Sequence, residues 1–543
     1  MCGIFAFLQN LNGTVTNKDQ LLQISVALKS KHRGPDNTVI MPIGPKSNNL
    51  FVFHRLSIMD TSMEGAQPMM HPNDSNIILM CNGEIYNNLQ LKEKYKIKTK
   101  SGSDCEVILH LYQMFGIEKT VKLLDGVFAF IIYDGNTNTF YAGRDSIGVR
   151  SMYIGYTKDN SIVISSELKS VSPLCLTSRH FMPGTWWCSK KPRKFNFFNR
   201  LQFSYYTTLS ATDYSELEVS KKVVSLLETA VHKRMMSERE IGCFLSGGLD
   251  SSLVTALVAK EYDDPKKLHT YSIGMEGSTD LYYADMVAKY IGTTHHEVIV
   301  TEDDMLQAIP EVVRMIESYD TTTVRASTPM YLLSKWIKQN TNTTVVFSGE
   351  GSDELSGSYM YFHNCPNVRA FQTETSRLVQ DLFYFDVLRC DKSVAGAGLE
   401  PRVPFLDMDF INYYMQIPPE YKLPRNGIEK YFLRKAFEPL NLLPSEVLWR
   451  TKEAFSDGVS AVENSWNTII KHFVDKQITD ETFTWQKDLY NENTPSLKET
   501  LFYRRIFDEE YPNCAHLVPY YWLPKWTDDV DDPSARVLSV YNK

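Results

Sequence analysis

Apolar residues fall along this chain in two rhythms. In the first two hundred positions they come as short runs, Ile77 to Cys81, Gly126 to Asp134, Tyr141 to Asp145 and Ser161 to Ser165, with turn residues between them. Such runs predict strands buried in stacked sheets. From Ser215 the rhythm changes. Val219, Val223, Leu227 and Val231 recur every four residues and predict one apolar stripe on a helix. Beyond it strand and helix alternate: Ile241 to Leu245, a helix over 249–260, Leu268 to Gly274, a helix over 281–290, Glu297 to Val300, further helices, then Thr344 to Phe347. That alternation predicts a parallel sheet with helices on both faces and ligands at the carboxyl ends of its strands.

With 543 residues the chain exceeds what one core supports, and the change of rhythm places two domains at 2–205 and 215–543. Composition adds little: 43% hydrophobic and 22% charged residues are ordinary for a folded protein, and a net charge of -8 gives no electrostatic reason to bind nucleic acid. The basic run Lys190 to Lys194 reads as a solvated loop. Apolar runs such as Val127 to Tyr133 fall far short of a bilayer span, and no basic-then-apolar leader opens the chain, so no membrane partner and a cytoplasmic location are expected. Nine cysteines without a Cys-x-x-Cys pair argue against a disulfide framework or a zinc knuckle. His295-His296-Glu297 reads as structural, because adjacent side chains diverge from a regular element.

The candidate chemistry gathers in a few stretches. Ile241 to Ser252 reads as strand, Ser-Gly-Gly turn and helix, in which Gly247 and Gly248 let backbone N–H groups converge on an anion at the helix N-terminus. No Gly-Lys-Ser/Thr follows; Asp250 does, a carboxylate placed to hold Mg²⁺ on a phosphate chain. A second acidic turn, Ser348 to Glu354, follows the strand ending at Phe347 and sets Asp353 opposite Asp250 across a shared Mg²⁺. At the other end, Cys2 would carry both a thiol and a free α-amine once Met1 is removed, a nucleophile with a built-in base. Arg33 and Arg55 offer forks for an α-carboxylate. Cys81 to Asn87 closes a strand with a glycine turn, where the Asn82 amide and Gly83 N–H suit an oxyanion and Glu84 suits an α-ammonium; Asp104 is a further partner for that ammonium.

These residues carry a resemblance. From Cys2 through H-R-G-P-D, H-R-L-S-I, C-N-G-E-I-Y-N and S-G-S-D-C-E the chain resembles the N-terminal-nucleophile glutaminase domain of class II glutamine amidotransferases, and its S-G-G-L-D-S loop resembles the ATP-pyrophosphatase domain of the asparagine synthetases. The resemblance implies an αββα sandwich followed by a parallel-sheet α/β domain. It implies Cys2 as the attacking thiol, Asn82 and Gly83 as oxyanion hole, and Arg55, Glu84 and Asp104 as holders of the substrate's carboxylate and amine. For ATP it implies Leu245, Ser246, Gly247, Gly248, Asp250, Ser251, Ile273, Ser348 and Gly349, with Thr322 and Arg325 as candidates for contact with the pyrophosphate or the acyl intermediate. It implies Lys452 as the cation on the departing charge and Glu350 as the base that takes ammonia's proton.

The implied reaction activates the side-chain carboxylate of L-aspartate on the α-phosphate of ATP. Ammonia from L-glutamine, led through a dry passage between domains, then displaces AMP. A homodimer is left open. Ser146 stands where the family commonly has proline, and Ala395 to Leu399 is unusually rich in glycine and alanine. A β-lactam-synthetase-like cyclase would use the same adenylation and then an internal amine in place of ammonia, but Cys2 and the glutamine-pocket residues argue against it. A catalytically silent binding protein would have lost Cys2, Asp250, Asp353 or Lys452, and none is lost.

Overall fold

The computed structural model describes residues 1–9, 17–45, 48–209, 214–461, 463–527 and 530–538. Among them the strands form two antiparallel sheets and one parallel sheet. Strand Gly3–Leu8 shows why the first two stack: all six residues are buried, and alternate side chains serve different layers. Ile4 and Ala6 share a core with Ile78, Met80, Ala129 and Ile131 of the second sheet. Phe5 and Phe7 join Leu168 and Val171 and, from the distal half of the chain, Met305 and Ile309.

The first sheet runs Thr177–His180, Tyr153–Tyr156, Ile162–Ser165, Gly3–Leu8, Asn49–Arg55, Asn37–Ile43. The second runs Phe195–Phe197, Thr185–Cys188, Thr139–Arg144, Gly126–Asp134, Asp74–Ile85, Met69–His71. Helix Val107–Leu123 covers the outer face of the second sheet, and Ala27 of helix Asn17–Ala27 joins the core outside the first. Helix, sheet, sheet, helix is the layer order the resemblance implied.

One sequence expectation needs correction here. Asn82 and Gly83 do not sit in a turn: strand Asp74–Ile85 continues through both and pairs with Gly126–Asp134 as far as Ile85. The reason is close approach, since a Cβ on Gly83 would lie 2.2 Å from the Val127 carbonyl oxygen. Residues 181–184 separate strand Thr177–His180 from the hairpin Thr185–Cys188 and Phe195–Phe197, whose tip is the basic run.

In the distal half, the strands order as Thr294–Ile299, His269–Gly274, Ile241–Phe244, Val345–Phe347, Glu400–Arg402, all parallel. Chain order reverses between Ile241–Phe244 and Val345–Phe347, and a crevice opens at the carboxyl ends where connections leave to opposite sides. Helix Glu216–His232 packs beneath through Val219, Val223, Leu227 and Val231, and starts with a Ser215–Glu218 capping box. Residues 210–213 of the expected linker lie outside the described residues. Among the described residues no helix is long and apolar enough to cross a membrane, and no cluster of three or more His, Cys, Asp or Glu side chains forms a metal site. All nine cysteines are free. His295 is held by the Thr270 and Ser272 hydroxyls and His296 by His269.

Candidate functional site

Two sites are built on this frame. At the first, Cys2 leads into strand Gly3–Leu8, and its thiol lies 3.5 Å from the Leu56 carbonyl oxygen, beside Arg55. Burial pushes the Cys2 thiol up to about 11, and pushes the α-amine of Met1 down to about 6. Arg33 is not a free fork, contrary to its sequence reading: its Nε donates to the Cys2 carbonyl at 3.1 Å while its guanidinium is paired with Glu167 at 2.5 Å and Asp391 at 2.9 Å.

Neither side-chain amide atom of Asn82 has a hydrogen-bond partner, although Asn82 is fully buried. A buried amide left open in this way is suited to a ligand oxygen. Glu84 and Asp104 lie close by. Burial holds the Glu84 carboxyl well above the usual carboxylate range, with Glu400 and Asp104 adding to the effect, and pushes Asp104 up to about 6. Asp104 accepts from the Ile85 N–H at 2.5 Å, and Arg402 approaches Glu84 to 3.5 Å. Arg55 donates to the carbonyls of Ser62, at 2.7 Å, and Asp60; Asp60 in turn accepts from the Gly102 N–H at 2.8 Å. The structure thus brings together Cys2, Arg55, Asn82, Gly83, Glu84 and Asp104, with two buried carboxylates that an ammonium ligand would neutralise.

The second site fills the crevice of the parallel sheet. The turn after Phe244 needs Gly247: its φ is +69°, and a Cβ there would meet the Tyr283 Cβ at 2.4 Å. Helix Leu249–Ala259 begins without a side-chain cap, leaving its first N–H groups directed at the crevice. Leu245, Ser246, Gly248, Asp250 and Ser251 line one side, Ser348, Gly349, Glu350 and Asp353 the other. Ile273, Met330 and Leu333 supply an apolar wall, and Thr322 faces the same space with its hydroxyl unpartnered. Lys452 lies 2.5 Å from Asp353, which raises the lysine's pKa against the opposing effect of burial; Lys430 and Lys452 together hold Asp353 well below the usual carboxylate range, again against burial. Burial raises Glu350 instead, although Arg389 donates to it at 2.5 Å.

Arg325 is placed elsewhere. Its guanidinium is forked onto Glu499, at 2.6 and 2.8 Å, and onto Asp532, at 2.8 and 2.9 Å, and it does not line the crevice. One turn of helix Thr321–Asn340 separates it from Thr322, and the acidic partners come from segments distant in sequence. Sequence reading missed Lys430, Arg389 and Arg450. Lys430 joins Asp250 to Asp353, and Arg450 donates to the Gly247 carbonyl at 3.2 Å and pairs with Asp280 at 3.3 Å. No local pattern marks them; Lys430 follows an Asn-Gly turn, which signals a chain reversal and no chemistry. Of the departures, Ser146 accepts from the Asn199 amide at 3.0 Å, and the small residues after Arg389 end helix Asp386–Gly396, where a Cβ on Gly396 would meet Met315 at 2.8 Å.

Two known families match this chain. The family described as glutamine amidotransferase domain matches residues 1–184, and the family described as asparagine synthase matches residues 222–378 and 364–530. The glutamine-hydrolysing asparagine synthetases of Cricetulus griseus and Mus musculus are each 42% identical over 573 aligned positions, and that of Homo sapiens is 41% identical over 565, covering 100% of this chain and 99% of each relative. A solved structure of the allosteric regulatory enzyme of purine biosynthesis aligns at 16% identity over 55% of this chain and 80% of its own, with a TM-score of 0.33, too slight a likeness to bear on function. Full-length identity above 40%, with both family regions in order, means that this chain belongs to the glutamine-hydrolysing asparagine synthetases.

Proposed function

We propose that the chain makes L-asparagine from L-aspartate and ATP with ammonia released from L-glutamine, giving AMP, pyrophosphate and glutamate. The observation that carries this reading is the coexistence of two differently built sites in one fold. One offers a thiol beside an unpartnered buried amide, the other an uncapped helix N-terminus facing lysine and carboxylates.

At the first site the Cys2 thiol, its proton taken by the residue's own amine after removal of Met1, attacks the glutamine side-chain carbonyl. Asn82 and Gly83 receive the developing oxyanion. Glu84 and Asp104 bind the α-ammonium and Arg55 the α-carboxylate. At the second site the aspartate side-chain carboxylate attacks the α-phosphorus of ATP, forming an acyl adenylate and expelling pyrophosphate. The first-turn N–H groups of helix Leu249–Ala259 and Lys452 take up the departing charge. Ammonia attacks the acyl carbon, AMP leaves, and Glu350 accepts the proton. Its burial, which strengthens it as a base, supports that role. Asp250 and Asp353 supply hard oxygen donors that fit Mg²⁺, and the ion would neutralise phosphate charge there. Leu56, Ile58 and Val149 of the first unit share an apolar core with Leu399, Val403 and Leu406 of the second, which supports a dry route for ammonia. A cytoplasmic location and a homodimer belong to the same proposal.

The test is a product assay with aspartate, glutamine and Mg-ATP, resolved by mass spectrometry. Asparagine, AMP and glutamate in equal amounts are expected. ADP in place of AMP would overturn the α-phosphate step, and glutamate without asparagine would overturn the acceptor.

A further inference from the structure

Asp250 and Asp353 come from different strand ends, and between them stands the ammonium of Lys430, 2.5 Å from an oxygen of each. Lys452 reaches the other oxygen of Asp353, also at 2.5 Å. Two carboxylates and two ammonium groups close a neutral quartet in which the Lys430 side chain is 1% exposed. The Ser352 hydroxyl donates to Asp250 at 2.7 Å and the Ser358 hydroxyl to Asp353 at 2.5 Å, so the carboxylates are oriented from behind as well.

The backbone holds Lys430 there at a cost. It has φ +56° and ψ 23° at the start of helix Tyr431–Phe437, a left-handed conformation that side-chained residues seldom take. A divalent cation bridging the two carboxylates needs the position the ammonium holds. Displacing a buried ammonium without giving it a new partner is strongly unfavourable. A polyphosphate bound at the neighbouring helix N-terminus provides that partner, and the flexible four-carbon stem of lysine allows the move.

Resting on the nucleotide reading above, we propose that Lys430 is a further phosphate-binding residue, which holds Asp250 and Asp353 together before nucleotide arrives and passes to the polyphosphate when the divalent cation takes its place. Metal and nucleotide then bind with positive coupling, because neither alone both displaces and re-partners the ammonium. A lysine acting only as a strut would give no gain in affinity for the cation alone when its ammonium is removed.

The experiment uses the full chain, Mn²⁺ followed by electron paramagnetic resonance, and α,β-methylene-ATP, which cannot be cleaved at the α-phosphate. Wild type is expected to bind Mn²⁺ at least about tenfold more tightly with the analogue than without it. K430Q is expected to bind Mn²⁺ alone about tenfold more tightly than wild type, and the Mn²⁺–analogue complex about tenfold more weakly. Equal affinities in wild type and K430Q overturn the proposal. If K430Q does not fold, wild type decides alone: Mn²⁺ bound equally tightly with and without the analogue overturns it. Binding of the analogue by wild type in that same titration keeps the nucleotide reading intact, whereas no binding of the analogue under any condition overturns both.

Discussion

Asp104 is where burial and ligand recognition conflict most measurably. Its carboxyl is pushed up to about 6, whereas an aspartate in an unfolded chain titrates near ~3.9. Between those values the native protein binds more protons, so the stability contributed by this group is full below the unfolded pKa and is lost as pH rises through about 6. Holding an ammonium requires the ionised form. The KM for glutamine is therefore expected to rise severalfold as pH falls from 7 to 5.5, and D104N to raise it at pH 7 and flatten the profile; a pH-independent wild-type KM would remove Asp104 from the pocket. Cys2 gives a sharper split. C2A is expected to lose glutamine-dependent synthesis by at least ~10³-fold while synthesis from ammonium chloride survives. Both residues could be named from sequence, because an N-terminal Cys and a short acidic motif are local signals. Asn82 could be named as well, but not that its amide is unpartnered, since that is a property of neighbours.

Elements decide which residues a site receives. The turn between strand Ile241–Phe244 and helix Leu249–Ala259 needs a positive φ and open space at Gly247, so G247A is expected to cost about 1–3 kcal/mol of stability and to weaken ATP binding. Chemical denaturation and calorimetric titration read the two effects separately. Helix Thr321–Asn340 makes the opposite point. Its Thr322 faces the crevice, but its Arg325 clamps helix Lys498–Glu510 and the C-terminal segment through Glu499 and Asp532. Removing the guanidinium leaves two carboxylates unpaired, so R325L should lose about 3–5 kcal/mol. The KM for ATP should stay within about threefold of wild type at a temperature where the variant is folded. A large rise in that KM without lost stability would return Arg325 to the nucleotide. Strand and helix identities were legible in the apolar rhythm, and misreadings arose where Gly and Asn imitated a turn inside strand Asp74–Ile85.

At the scale of the molecule the two units are joined by buried charge. Lys392 from the distal half lies 2.8 Å from Glu167 of the proximal half and 2.5 Å from Glu317, which also accepts the N–H groups of Leu168 and Lys169 at 2.7 and 2.9 Å. Beside it, Asp391 pairs with Arg33, whose Nε holds the Cys2 carbonyl. Units that share ion pairs at 0% exposure should not unfold separately, so calorimetry is expected to show one transition in wild type. K392M should lower it by about 3–5 kcal/mol, with a resolved lower transition if the interface parts first. Two transitions in wild type would refute the shared core.

The sequence by itself determined the two rhythms and hence both sheet classes, the glycine turn and the identities of Cys2, Asp250, Asp353 and Lys452, because periodicity, turn chemistry and short motifs are encoded over a few neighbouring residues. Only the tertiary structure decided that Lys430 stands between two aspartates 180 and 77 residues away, that Arg325 serves the C-terminal segment, and that Arg33 grips Cys2 and Asp391 together. The physical reason is range. A charge finds its partner by burial and packing of distant segments, and no local pattern carries that information.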